Sequence, residues 1–141
     1  MRIRPCAEFS ADFPDDMIEE DGEIVQFGGR GVAEAVAVML QHLGYDVSPP
    51  EHQHEHGWDF EIKVKTDRVW MQISDLGDFI LITRYFPGFG LFKKNSDDIY
   101  PEMLTRLNGA LAGDPRFSNI RWQFHSDVDS GTPGARDPVS E

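Results

Sequence analysis

Cysteine is almost missing from this chain: Cys6 stands alone among 141 residues, so no disulfide can close within it. A lone thiol fits a reducing compartment, and the fold must rest on its apolar core. Long hydrophobic runs are missing as well. No stretch approaches the roughly 20 apolar residues that cross a bilayer, and the N-terminal segment has Arg2 and Arg4 but no continuous apolar region. These absences lead to the expectation of a soluble, unexported, cytoplasmic protein with no membrane role. Basic residues are scarce: 13 Lys and Arg face 25 Asp and Glu, a formal charge of -12. Without a basic stripe to displace phosphate counterions, direct nucleic-acid binding is disfavoured.

Catalytic signatures are absent too. Gly28-Gly29-Arg30-Gly31 has neither the Lys-Ser/Thr pair of a phosphate loop nor the glycine spacing of a dinucleotide site, and reads as a loop entering a helix. No G-x-S-x-G elbow occurs, Ser74 has no neighbouring base, and Cys6 falls in an arm expected to be mobile. No enzyme activity and no cofactor are expected.

What is present is enough for one domain of common size. The chain divides into an acidic N-terminal arm (1-22), a single α+β domain (23-125) and a polar tail (126-141) expected to lack structure. Much of the acidity sits in these flanks: seven acids against two arginines in 1-22, four against one in 126-141. Solubility explains such charge, and attraction to a basic protein is the sharper reading. Val32, Val36, Met39, Leu40 and Leu43 recur at helical spacing and predict a helix over about 31-43, ended by Gly44. Ile99, Met103, Leu104, Leu107 and Leu111 predict a second over about 98-112, with Ser96, Asp97 and Asp98 as capping residues. Short strands are expected at 23-27, 45-47 and 120-124.

Between the helices lie WDFEIKVK, RVWMQIS and FILITRY, three runs of period-2 character separated by turn residues. A Thr66-Asp67 turn pairs Val64 with Val69, Ile62 with Met71 and Phe60 with Ile73 on a core face, and leaves Asp59, Glu61 and Lys63 with Trp70, Gln72 and Ser74 on the other. A four-residue loop from Asp75 to Asp78 then sets Ile80 and Ile82 on the core side and gathers Trp70, Phe79, Leu81 and Tyr85 on the outer side. Burying a large apolar side chain is worth about 2 kcal/mol, so four together call for a cover. The cover is the chain's own loops (Phe86 to Phe92, or the Phe9 and Phe13 arm), a second copy in a homodimer, or a different protein.

His52, His54 and His56 alternate in EHQHEHGWD and form a candidate metal row, with His125 as a conceivable fourth ligand. The spacing is unspecific, so a solvated connecting loop is expected and no metal is assigned. Asp75 and Asp78 read as turn residues before they read as a carboxylate pair.

The order helix, three antiparallel strands, helix, strand over Gly31 to Phe124 resembles small acidic toxin-immunity proteins and class I type III secretion chaperones. The resemblance lies in element order and implies a protein-binding role. The expectation is an α+β sandwich: a four- or five-stranded, mainly antiparallel sheet with two helices on one face. Its function would be non-catalytic inhibition of a partner, possessed of basic groups, by Trp70, Phe79, Leu81 and Tyr85 as anchors and Asp59, Glu61, Asp75 and Asp78 as steering charges. The alternatives are a dimeric secretion-type chaperone and a metal-dependent enzyme built on His52, His54 and His56.

Overall fold

The computed structural model describes residues 1-54, 56-88, 98-128 and 130-141. Helix α1 (Arg30–His42) buries Val32, Ala33, Val36, Ala37 and Leu40. Helix α2 (Ile99–Ala112) buries Tyr100, Pro101, Met103, Leu104, Leu107 and Leu111. Both follow the periodicity in the sequence. Asp98 stands at the N-cap position of α2, while Ser96 and Asp97 lie outside the described residues.

The strands, in chain order, are β1 (Arg2–Ile3), β2 (Cys6–Ala11), β3 (Ile18–Glu20), β4 (Glu23–Gln26), β5 (Asp46–Val47), β6 (Glu51–Gln53), β7 (Gly57–Val64), β8 (Asp67–Leu76), β9 (Asp78–Phe86), β10 (Phe117–Gln123) and β11 (Val139–Ser140). Seven of them form one sheet in the order β10-β2-β9-β8-β7-β5, with β6 also paired to β7. Every pairing in it is antiparallel. The α+β class and the antiparallel sheet match expectation, and the sheet is wider than the four or five strands predicted.

The extra width has a physical source in the N-terminal flank. Cys6–Ala11, expected in a mobile arm, is inserted between β9 and β10 and buries Ala7 and Phe9 to 1% exposure each. Its alternation is real but short, and alanine, glutamate and serine are poor strand formers. The tail is ordered into the fold as well: Ala135 exchanges backbone hydrogen bonds with Trp122, Arg4 N–H donates to Pro138 O, and β11 pairs with β1.

One face of the sheet supplies the core. Phe60, Ile62, Val69, Met71, Ile73, Leu81 and Trp122 are each at most 2% exposed and join the helix stripes in one buried cluster. Among the described residues, no helix is long and apolar enough to cross a membrane.

Candidate protein-docking face

Two turns decide which side chains reach the face away from the core. The first reversal uses Lys65-Thr66, with Lys65 at φ +56°, and pairs Val64 with Asp67. Register moves by two residues from the expected pairing, so parity and both faces are preserved. Asp67 is drawn inside: it is 2% exposed, accepts the Gly88 N–H at 2.9 Å and accepts the Tyr85 hydroxyl.

The second reversal changes the outcome. The β8-β9 ladder continues to Leu76 opposite Asp78, leaving only Gly77, at φ +99°, between the strands. A positive φ costs glycine little, so this tight turn replaces the expected four-residue loop. Register slips by one, and every side chain of β9 changes face. Leu81 is inside at 0% exposure. Phe79 stacks on Phe9 with centroids 6.1 Å apart, and Tyr85 stacks on Tyr100 at 5.2 Å. The expected quartet is therefore dispersed: Trp70 alone stays outside, and Ile80, Ile82 and Phe86 take the places assigned to Phe79, Leu81 and Tyr85.

On the outer face Trp70 lies opposite Arg84, so its two diagonal neighbours are Ile82 and Phe86. Ile80 continues the apolar strip next to Glu8 of β2. Trp70, Ile80 and Ile82 are half-buried and Phe86 is 43% exposed, so the strip is only partly covered among the described residues. Within the expected cover, Phe89 to Phe92 lies outside the described residues, and Phe9 and Phe13 pack on the core side against Phe117.

Polar contacts hold the strip in place. The Trp70 indole donates to Asp59 Oδ2 at 3.2 Å, and Gln53 donates to Asp59 Oδ1 at 3.2 Å, which fixes the ring over the sheet. Glu61 pairs with Arg68 at 3.4 Å, and the Arg68 guanidinium lies 5.4 Å from the Phe86 ring centre. Asp59 and Glu61 thus occupy the expected face. Asp78 also reaches it, accepting from Ser10 Oγ at 3.1 Å. Asp75 is on the core-side parity at the sheet's end, where its Oδ1 accepts the Gly77 N–H at 3.2 Å.

The strip is bounded at both ends. The turn at His56 crosses Gln72 and Ser74, both of which donate to the His56 carbonyl. At the other end His125 covers Cys6, with Nδ1 3.4 Å from Sγ, and residues 131-134 line a cavity of about 450 Å³ with Glu8, Arg121 and Gln123.

The histidines are dispersed in a similar way. His52 Nε2 accepts the Phe27 N–H at 3.0 Å, so its available lone pair is used. Burial, then the neighbouring His54, holds the His52 ring below the usual imidazole range. His125 sits at Cys6, beyond β9, and not beside the row. Among the described residues no group of three or more His, Cys, Asp or Glu side chains is placed to hold a metal, and Glu55 lies outside them.

Cys6 and His125 have the residue types of a thiol dyad and the opposite electrostatics. Cys6 is 1% exposed, and burial pushes its thiol up to about 11 against a weaker opposing pull from Arg84. A nucleophilic thiol needs a lowered pKa and access, so this sulfur is a protonated packing group at neutral pH.

Sequence reasoning missed Ile80, Ile82 and Phe86 because parity along β9 is set by one turn residue. The strand expected at 23-27 is present as β4, but its hairpin partner β3 was missed, although the Asp21-Gly22 turn between Ile-Glu-Glu and Glu-Ile-Val was a readable signal. Comparisons with family models, with curated proteins and with solved structures find no match.

Proposed function

We propose that this protein is a non-catalytic, protein-binding domain of the inhibitor or immunity kind, which neutralises a partner by docking the outer face of its sheet against it. The observation that carries this reading is the partly open strip of Trp70, Ile80, Ile82 and Phe86 on a face that an antiparallel sheet ordinarily gives to polar residues. Tryptophan and phenylalanine bury much area while freezing few rotamers, which suits them as anchors. Asp59 and Glu61 rim the strip, and the net charge of -12 favours encounter with a basic surface.

The test compares what the purified protein retains from its own host's extract with what Trp70→Ala/Ile82→Ser retains, using Val38→Ser on the exposed face of α1 as the control. A partner lost only by the sheet-face variant, and bound more weakly as salt is raised, supports the reading. Equal retention by all three proteins removes it. Sedimentation velocity at several concentrations separates docking of a foreign protein from the dimer that a secretion-type chaperone would form.

A further inference from the structure

The β3-β4 hairpin belongs to no other sheet among the described residues; its two strands pair only with each other. Asp21-Gly22, at φ +53° and +81°, makes the tight turn whose twist suits a hairpin. The base is anchored: Gln26 Nε2 donates to Asp16 O at 2.8 Å, and the Asp16 carboxylate accepts the Gly29 and Gly31 N–H groups at 2.8 and 2.7 Å. From that fixed base the ribbon, with Met17 just before it, leaves apolar side chains partly in solvent. Met17 is 41% exposed, Ile18 44%, Ile24 46% and Val25 38%, half of all the large hydrophobics exposed on the described surface.

A ribbon this short gains little from exposed isoleucines and valine in water, and its free edges are a hazard that proteins ordinarily blunt. The hairpin's charges also oppose its own pairing. Glu20 lies directly across from Glu23, a like-charge pair that destabilises the ladder, and residues 15-23 hold six acids with no lysine or arginine. No described ion pair involves Glu19, Glu20, Asp21 or Glu23. Among the described residues, the apolar cover of the hairpin is incomplete and no ion pair offsets its charge.

We infer that the β3-β4 hairpin is a docking element for a foreign protein that offers an apolar groove rimmed by lysine or arginine. A second copy is the poorer occupant, because two chains of -12 repel, and Arg30, Arg68 and Arg116 are already held in ion pairs. The surface is distinct from the sheet strip, so the two readings stand or fall separately.

A displayed library of random 20-residue peptides, selected on the full-length protein, tests the inference. Enrichment of peptides that combine basic residues with apolar anchors is expected. Their binding should fall at least about tenfold on Ile18→Ser/Ile24→Ser and persist on Val38→Ser, on the exposed face of α1. Glu20→Gln/Glu23→Gln keeps every apolar side chain and relieves the like-charge pair, so it guards against loss through misfolding; on it, binding should weaken several-fold and become less sensitive to salt. No enrichment, enrichment without basic residues, or equal binding to Ile18→Ser/Ile24→Ser overturns the inference. So does a dimer in sedimentation that Ile18→Ser/Ile24→Ser disperses, since the occupant would then be a second copy.

Discussion

Replacing Leu81 and Ile80 with alanine, one at a time, tests the one-residue step on which the outer face depends. Leu81 is 0% exposed and stands opposite Ile73 in the core. Truncating such a leucine loses transfer free energy and leaves a cavity, together about 3 kcal/mol. Ile80 is half-buried on the outer face, where water can fill the space its side chain leaves. About half of the roughly 0.8 kcal/mol per methylene is then lost, or about 1 kcal/mol, with no cavity. In urea, with a slope of about 2 kcal/mol/M, the midpoints should fall by about 1.5 M for Leu81→Ala and about 0.5 M for Ile80→Ala. Thermal midpoints should fall by about 9 and 3 °C. A larger loss for Ile80→Ala would mean that β9 sits in the other register, and the reasoning about its outer face would be refuted.

Asp16→Ala should destabilise by about 1-2 kcal/mol, read by thermal unfolding, because two N–H groups at the start of α1 lose their acceptor; a change within error would deny that cap. The His52 pKa is lower folded than unfolded, so its contribution to stability is full above about pH 6.5 and is lost as pH falls towards the folded value. His52→Gln should flatten that acid-side decline in denaturant titrations, and an unchanged decline would assign it elsewhere. Cys6 should react with a thiol reagent at pH 7.5 far more slowly in the native protein than in denaturant, given its burial and raised pKa; labelling at the rate of a free thiol would contradict its placement.

The helices were legible because a three- and four-residue apolar period survives local detail, as with Val32, Val36 and Leu40. The faces of β7 and β8 were legible for a related reason: a two-residue error in the turn leaves parity intact. β9 was not, since whether Gly77 alone or four residues close the turn decides between Leu81 and Ile82, and both are equally apolar. β2 was hidden by composition. Its Ala7, Phe9 and Ala11 alternate correctly against Glu8 and Ser10, yet the strand is held by non-local partners on β9 and β10 that no local pattern reveals. The tail's pairing with β1 is equally non-local, joining residues more than a hundred positions apart.

Placing a photo-reactive phenylalanine analogue at position 82, and separately at Val38 on the exposed face of α1, measures the central claim most directly. Irradiation of the folded protein in its host should give a discrete covalent adduct with another protein from position 82 and none from position 38. An adduct from position 38 with none from position 82 would contradict the assignment of the outer sheet face as the docking surface.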